Sequence, residues 1–246
     1  RDLRMRSLSL TKVTALLLLI ASVPATAKQP LKPYTAQYQV SKGSFVIGKA
    51  EISLSVNKQG VYNYRGFTTP VGLAAVFRKD EITEQSEGHV VGDKIVPDHY
   101  RYHHKKPKKL REISLSFDWK KKRVANQTAD SNWSMDIPTG TQDKFSQQLS
   151  LMLSLCQGQK LAEFEVADGG LLKTYRYTEV DRELIRTESG EFNAIKMARN
   201  KEDKPSRTAL WFAPSLNYLP VKISKQEKDG DYVMELVSVS WEEQTD

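Results

Sequence analysis

Apolar and polar residues alternate one by one along several segments of the chain. In residues 45–56 the apolar positions are Val46, Ala50, Ile52, Leu54 and Val56. The same alternation runs through 111–119 and 232–241. A period of two places successive side chains on opposite faces of a strand, and one wet and one dry face are typical of antiparallel sheet. With glycine-containing turns between such segments, the pattern predicts a mainly β protein of roughly ten strands.

One segment has a helical period instead. In residues 143–157 the apolar positions form one stripe of a helix, at Phe145, Leu149, Met152, Leu153 and Cys156. Thr141 can cap the start of this helix and Gly158 can end it. We expect the stripe to lie on the dry face of the sheet, with Cys156 as a small buried residue.

A single helix of about four turns cannot cover the dry face of a long flat sheet, so the sheet must curl. The predicted fold is therefore a strongly curved antiparallel sheet, or a half-open β-barrel, with one principal α-helix in or against the concave face. A closed barrel or a sandwich is the competing arrangement.

Two apolar segments depart from simple alternation. Residues 69–77 predict a short helix or loop over an open end of the sheet, where it lines or gates a cavity; a connection that fills the core is the alternative. Residues 209–223 predict a strand, a corner at 214–217 and a second strand, with Pro220 at an outer edge because proline lacks a ladder donor. The candidate cavity residues in these two segments are Leu73, Phe77, Trp211 and Phe212.

The beginning of the chain has the pattern of an export signal. Met5 is followed by Arg6, Lys12, an apolar run over 13–21 and an Ala-x-Ala motif that ends at Ala27. This pattern predicts a cleaved signal peptide over 1–27, with 1–4 as an over-extended start, and a single β-rich domain over 28–246. The apolar run is much shorter than the ~20 residues that cross a bilayer.

Export without an anchor makes the periplasm the expected location. A lipoprotein signal needs a cysteine directly after the apolar run, and the single cysteine of the chain is Cys156. Removal of 1–27 takes away four basic residues and one acidic residue, so the formal charge falls from +7 to +4. We therefore expect no transmembrane segment after signal removal and no nucleic-acid partner.

The residue types exclude several kinds of chemical site. His99 and His103 are four residues apart on a predicted strand, roughly 13 Å, which is too far for one metal ion. No metal-binding motif and no Gly-x-Ser-x-Gly elbow occurs, and a thiol on an apolar stripe is inert. We therefore expect no metal, no cofactor and no catalytic residue, and hence a protein that is not an enzyme.

Basic residues are concentrated in two short segments. The first contains Lys105, Lys106, Lys108 and Lys109, and the second is 120–123. Both are predicted hairpin turns at opposite ends of one strand, about 33 Å apart, so they cannot form one patch. The first group is the candidate surface for anionic groups, and charged loops that keep the protein soluble are the alternative.

Four blocks of sequence, in this order, carry a family resemblance: TPVGLAAVFRKDEITEQSEG, IVPDHYRY with SFDW, DKFSQQLSL, and LWFAPSLNYLPVKI. Together they resemble the bacterial secreted domain-of-unknown-function 3108 family, over about residues 34–241. The resemblance implies no activity, substrate or catalytic residue, because none is established for that family.

These observations together predict a periplasmic, non-catalytic protein that binds an amphipathic envelope component. That component is a lipid-like molecule or the apolar part of a client protein. One alternative is an envelope hydrolase that acts on carbohydrate or ester. The other is a structural or interaction partner without a ligand cavity.

Overall fold

The computed structural model describes residues 31–77, 80–107, 109–128, 131–200, 208–228 and 230–242. The predicted signal peptide, residues 1–27, lies outside these residues.

The described residues form fourteen strands and two α-helices. The strands are β1 Tyr34–Lys42, β2 Phe45–Val56, β3 Val61–Pro70, β4 Glu81–Val91, β5 Lys94–Lys106, β6 Lys109–Asp118, β7 Arg123–Thr128, β8 Asn132–Asp136, β9 Leu161–Asp168, β10 Leu171–Thr187, β11 Gly190–Asn200, β12 Thr208–Ala213, β13 Leu219–Glu227 and β14 Gly230–Trp241. The helices are α1 Gly72–Phe77, between β3 and β4, and α2 Ser146–Cys156, between β8 and β9. The prediction of roughly ten strands was therefore too low, because short strands of five or six residues, such as β7 and β8, carry too few positions for an alternation.

All fourteen strands belong to one sheet in which every neighbouring pair is antiparallel. The strands β2 to β8 form one meander and β9 to β14 another. The two meanders meet at β1, which pairs with β2 on one side and with β14 on the other. The first and last strands thus lie in the middle of the sheet, and β8 and β9 are its two ends.

The sheet curls until its two ends approach each other. The ring of Trp133 on β8 lies 3.3 Å from where a Cβ atom on Gly170, in the β9–β10 turn, would stand. Gln142, which precedes α2, forms a parallel bridge with Val166 on β9. Within the described residues β8 and β9 do not pair with each other, so the barrel is half open. The predicted fold, a strongly curved antiparallel sheet with one principal helix in its concavity, is confirmed.

Helix α2 lies inside the curled sheet and is buried on nearly all sides. Its buried residues are Ser146, Gln147, Gln148, Leu149, Ser150, Leu151, Met152, Leu153 and Leu155. The predicted stripe of apolar residues was therefore too narrow, because a sheet that wraps round a helix covers more than one of its faces. Cys156 was predicted to be buried, but it is exposed, since it lies in the last turn where the helix leaves the sheet.

The two predicted helix ends had different outcomes. Thr141 does not cap the helix, because its hydroxyl donates to the carbonyl of Pro138. Gly158 ends the helix as predicted, with a φ of +79°. Its N–H donates a hydrogen bond to the carbonyl of Leu155, and the N–H of Gln159 donates to the carbonyl of Ser154. This pair of bonds is the Schellman arrangement, which favours glycine.

The segment 209–223 forms a strand, a corner and a second strand, as predicted. The corner is a 3₁₀ turn, Pro214–Leu216, followed by Asn217 with a φ of +50°. Strand β13 lies between β12 and β14, but its ladder with β14 begins only at Lys222. Pro220 pairs with Phe212 of β12 and has no pair on β14, so the strand has one unpaired side at the proline, as predicted. The register shifts beside Pro220, and such a bulge tolerates a residue without a ladder donor.

Candidate functional site

A cavity of about 580 Å³ opens at one end of the barrel. We call it the mouth cavity. We call this end of the barrel the mouth end; it carries the β1–β2, β3–β4, β5–β6 and β9–β10 connections. The start of α2 forms the floor of the cavity through Lys144, Phe145, Gln147 and Gln148. This volume lies within the range of about 300–1,000 Å³ that is typical of small-molecule sites.

The floor is anchored by the buried carboxylate of Asp143. Its Oδ1 accepts the N–H groups of Phe145 and Ser146, each at 2.7 Å, and its Oδ2 accepts the hydroxyl of Ser86 at 2.6 Å. Tyr62 Oη lies 2.9 Å from the same Ser86 hydroxyl. Burial raises the pKa of Asp143 to about 6, against the hydrogen bonds from Ser86, Ser146 and Phe145. Asp143, rather than Thr141, thus satisfies the first N–H groups of the helix.

A second set of contacts fixes the helix start to β3. The Phe145 ring stacks on Tyr64 with ring centroids 4.0 Å apart, and it lies over Gly66, whose missing side chain leaves room for it. Gln148 donates to the Tyr64 hydroxyl at 2.7 Å. The position of the floor is therefore set by both ring packing and hydrogen bonds.

One wall of the mouth cavity, on β2 and β12–β14, has an apolar inner part formed by Ala50, Ile52, Leu210, Ile223 and Met234. Nearer the mouth the same side is lined by Thr208 on β12 and by Lys225, Gln226 and Glu227 on β13. The apolar inner part holds an apolar body through burial of surface.

The opposite wall, on β4, β5 and β9–β11, carries polar and aromatic groups: Glu84, Tyr100, Tyr102, Asp168, Tyr175, Tyr177 and Arg199. The Tyr100 hydroxyl donates to Glu84 at 2.6 Å. Burial raises the pKa of Glu84, against the hydrogen bond from Tyr100 and the charge of Lys144. Burial also raises the pKa of Tyr100, so that this hydroxyl remains a donor.

Asp168 lies at the centre of a cluster on β9 and β10. Its carboxylate accepts hydrogen bonds from the Lys173 ammonium at 2.8 Å and from the Tyr175 hydroxyl at 2.9 Å. The Lys144 ammonium lies 3.6 Å from the same carboxylate. Burial by itself would raise the pKa of Asp168, but these partners hold the pKa below its usual range. Glu84 and Asp168 thus share one cavity with pKa values displaced in opposite directions.

Arg199 supplies a positive charge to the polar wall. Its guanidinium lies 4.4 Å from the centroid of the Tyr175 ring, and it donates to Thr208 Oγ1 at 3.4 Å. Burial raises the pKa of Tyr177 to about 12, against the charge of Arg199 and hydrogen bonds from Arg199 and Gln147. A guanidinium held on an aromatic ring is well suited to bind carboxylate or phosphate oxygens.

None of these polar residues was among the predicted site residues. A signal for the tyrosines is nevertheless present in the sequence, as three Tyr-x-Tyr pairs at 62–64, 100–102 and 175–177. Because residues two apart share one face of a strand, each pair places both hydroxyls inside the barrel. The acids and Arg199 carry no comparable signal, since isolated charges on strands are usually solvated.

The four predicted cavity residues have separate locations. Leu73 lies on α1 at the mouth end and is 80% exposed, and Phe77 is the last residue of α1. Phe212 points into the barrel and is fully buried. Leu73, Trp211 and Phe212 are not among the described residues that line the mouth cavity. Their contact with a ligand stays a prediction.

Trp211 follows Leu210, which lines the cavity, so its side chain lies on the outer face of the sheet. The ammonium groups of Lys196 and Lys222, on the two neighbouring strands, lie 5.0 and 5.7 Å from its ring centroid. These lysines pair in turn with Glu183 and Glu235. The indole is therefore covered by side chains of the outer face.

The predicted anionic-surface lysines belong to the β5–β6 hairpin at the mouth end. Lys105 and Lys106 are exposed and end β5, and Lys109 begins β6. Lys108 lies outside the described residues. The second basic segment, 120–123, lies at the β6–β7 turn, at the other end of the barrel.

Metal clusters and membrane-spanning helices are both absent from the described residues. No group of three or more His, Cys, Asp or Glu side chains there is arranged to hold a metal ion. No helix in the same part of the chain is long and apolar enough to cross a membrane.

A family model for the "Protein of unknown function (DUF3108)" matches residues 34–237. The chain belongs to this family. The DUF3108 match spans β1 to most of β14, so nearly the whole barrel, including every wall of the mouth cavity, is the family domain. The predicted family is confirmed.

The DUF3108 chain is also similar to a solved structure, a beta-barrel-like protein of the domain of unknown function DUF1849 from Brucella abortus. The TM-score is 0.56 and the identity 14%, and the match covers 87% of this chain and 99% of the other. At this identity the similarity concerns the fold alone. A comparison with curated proteins gave no match.

Proposed function

We propose that this protein is an exported, non-catalytic binding protein that holds an amphipathic anion in its mouth cavity. The observation that carries the proposal is that one cavity of about 580 Å³ has an apolar inner part on β2 and β12–β14 and a group of polar side chains on the opposite wall. An amphipathic molecule satisfies both walls at once, because its tail is buried on one and its head is hydrogen-bonded on the other.

The polar wall favours a negatively charged head. The carboxylate of Asp168 already has two ammonium partners, and Glu84 is bonded by Tyr100. The guanidinium of Arg199 has the hydroxyl groups of Thr208 and Tyr177 as partners and the Tyr175 ring beneath it. Its remaining N–H donors can bind the carboxylate or phosphate of a ligand. A fatty acid or a lysophospholipid has this combination of an anionic head and an apolar tail.

Export to the periplasm is part of the proposal. It is supported by the positive start, the apolar run over 13–21 and the Ala-x-Ala motif before residue 28. In that compartment lipid-like amphiphiles of the envelope are the available ligands of this class. The mouth cavity counts against the alternative of an interaction partner without a ligand cavity.

The test is titration of the purified protein with a fluorescent fatty acid. Met234→Glu places a carboxylate on the apolar wall, and we expect it to weaken binding by about tenfold or more. Val233→Glu is the matched control, because the adjacent residue of the same strand points to the outer face. Binding of the Val233→Glu protein should stay within about twofold of the unchanged protein.

Arg199→Gln tests the anionic head. A hydrogen bond to a charged group contributes about 1.5–3 kcal/mol, so we expect affinity for the fatty acid to fall by about 10- to 100-fold. The affinity for the corresponding fatty alcohol should change much less. Absence of saturable binding, or equal effects of Met234→Glu and Val233→Glu, would contradict the proposed function.

A second function is favoured by one observation, the opposite displacement of the pKa values of Glu84 and Asp168 in the same cavity. A pair of carboxyl groups whose environments displace their pKa values in opposite directions is typical of a hydrolase that acts on carbohydrate. The test is turnover of chromogenic aryl glycosides and esters. Activity that is lost in both Glu84→Gln and Asp168→Asn would support the hydrolase and contradict non-catalytic binding.

A further inference from the structure

The mouth end carries the largest exposed apolar side chains of the described residues. Leu73 is 80% exposed, Phe45 77%, Val76 68% and Leu171 61%. At the opposite end the corresponding residues are fewer and smaller, with Val91 at 60% as the most exposed. Exposed apolar groups of this size mark sites of interaction with another surface.

These side chains are arranged around the entrance of the mouth cavity. Phe45 follows the β1–β2 turn, and Leu73 and Val76 lie on α1, which packs against β2 and β3. Across the entrance, Leu110 follows the β5–β6 turn and Leu171 the β9–β10 turn. Four connections of the mouth end therefore each present an apolar side chain to solvent.

Lysines lie among the apolar groups. Lys49 is exposed on β2, four residues after Phe45, and Lys105 and Lys106 are exposed at the tip of the β5–β6 hairpin. Exposed apolar side chains together with lysines at one end are an arrangement by which proteins lie on an anionic bilayer: the apolar groups enter the acyl boundary and the ammonium groups meet the headgroups.

We propose that the mouth end is a docking surface for a lipid bilayer that contains anionic lipids, with the cavity entrance facing the membrane. This inference goes beyond the proposed ligand function, since it concerns the outer surface and is independent of what occupies the cavity. It gives an amphipathic ligand a direct path between the bilayer and the cavity.

The experiment is cosedimentation of the purified protein, without added ligand, with vesicles. One set contains equal parts of phosphatidylcholine and phosphatidylglycerol, and the other contains phosphatidylcholine alone. We expect binding to the anionic set that weakens with added salt, and weaker binding to the neutral set.

The apolar contribution is tested by Phe45→Asp with Leu73→Asp, against Val91→Asp with Leu161→Asp at the opposite end as the matched control. Each of the two mouth-end substitutions should weaken vesicle binding by about tenfold, because an aspartate does not enter the bilayer. The affinity of the control pair for vesicles should stay within about twofold of that of the unchanged protein. Because all four residues are at least half exposed, both pairs should fold alike, which a circular dichroism spectrum checks.

The charge contribution is tested by Lys105→Glu with Lys106→Glu, against Lys120→Glu with Lys121→Glu at the other end. The first pair should weaken binding to anionic vesicles by about fivefold per residue, and the second pair should not. Equal losses in the mouth-end and control pairs, or no binding to anionic vesicles, would overturn the proposal. A dimer that the Phe45→Asp and Leu73→Asp changes dissociate, without vesicle binding, would also overturn it and identify a second copy as the occupant. Vesicle binding and fatty-acid titration are separate measurements, so either proposal can fail alone.

Discussion

The two ends of helix α2 lie toward opposite ends of the same curled sheet, and they are held in different ways. At the start, Asp143 and Gln148 are bonded to buried hydroxyl groups on β4 and β3. At the end, Gly158 closes the helix through backbone bonds, and Gln157 bonds the exposed Asp93. The buried polar groups are thus concentrated at the end that faces the mouth cavity. A core of this kind requires accurate hydrogen bonding at one end and only a turn at the other.

The largest expected difference in stability is between removal of the Asp143 carboxylate at the helix start and removal of the Asp93 carboxylate near the helix end. Asp143→Ala leaves the Ser86 hydroxyl and two N–H groups without their acceptor, and we expect a loss of about 3 kcal/mol in the free energy of unfolding. Asp93→Ala removes one exposed hydrogen bond and should cost at most about 0.5 kcal/mol. Urea denaturation with equal m-values measures both. Similar losses would mean that the polar anchor does not distinguish the two ends.

Packing at the helix start gives the next effect. A Cβ on Gly66 would lie 3.1 Å from the Phe145 ring, so Gly66→Val should destabilise the protein by about 2 kcal/mol through overpacking. The double change with Phe145→Leu, which gives the new side chain room, should cost less than the sum of the two single changes. Simple additivity would show that the two residues do not compete for one space.

Backbone conformation at the helix end gives a smaller effect. Gly158 has a φ of +79° and open space around its Cβ position, so Gly158→Ala introduces strain without a clash. We expect a loss of about 1 kcal/mol, measured by the same urea unfolding. A loss as large as that of Gly66→Val would contradict the view that only the mouth-end side of α2 is tightly packed.

The smallest effect concerns pH and the polar wall. Burial raises the pKa of Glu84 in the folded protein, so its proton is bound more tightly there than in the unfolded chain. Its stabilising contribution is therefore complete below about pH 4.5 and is lost as the pH rises through the raised pKa. Glu84→Gln stays neutral, so its stability relative to the unchanged protein should be higher at pH 7.5 than at pH 4. A difference that does not vary with pH would contradict a raised pKa.

The sequence is informative about strands that have one wet face and about the helix, for direct physical reasons. Strand β2 has the predicted bounds, 45–56, because its inward residues are apolar and its outward residues are polar. Helix α2 lies within the predicted 143–157, since its apolar spacing cannot be met by a strand. Gly158 was predictable because a helix end of this type requires a positive φ.

The candidate site was much less predictable. Glu84, Asp168 and Arg199 come from three distant strands, and only the curl of the sheet brings them to one cavity. Asp143 was a readable cap, since Asp is favoured at helix starts and its acceptor meets the N–H groups two and three residues later. Its hydrogen bond with Ser86 on β4 could not be read from the sequence. Trp211 illustrates the opposite error: a large aromatic residue attracted a site prediction, although flanking lysines hold it on the outer face.

The central place of β1 has a consequence for how the chain matures. β1 can pair with its second neighbour, β14, only after residues 230–241 have been synthesised, since Tyr34 pairs with Trp241. Until then β1 and β13 each have one unpaired edge, because both pair with β14 in the finished sheet. A polypeptide interrupted before residue 230 would keep both edges unpaired, so such a fragment should be prone to self-association.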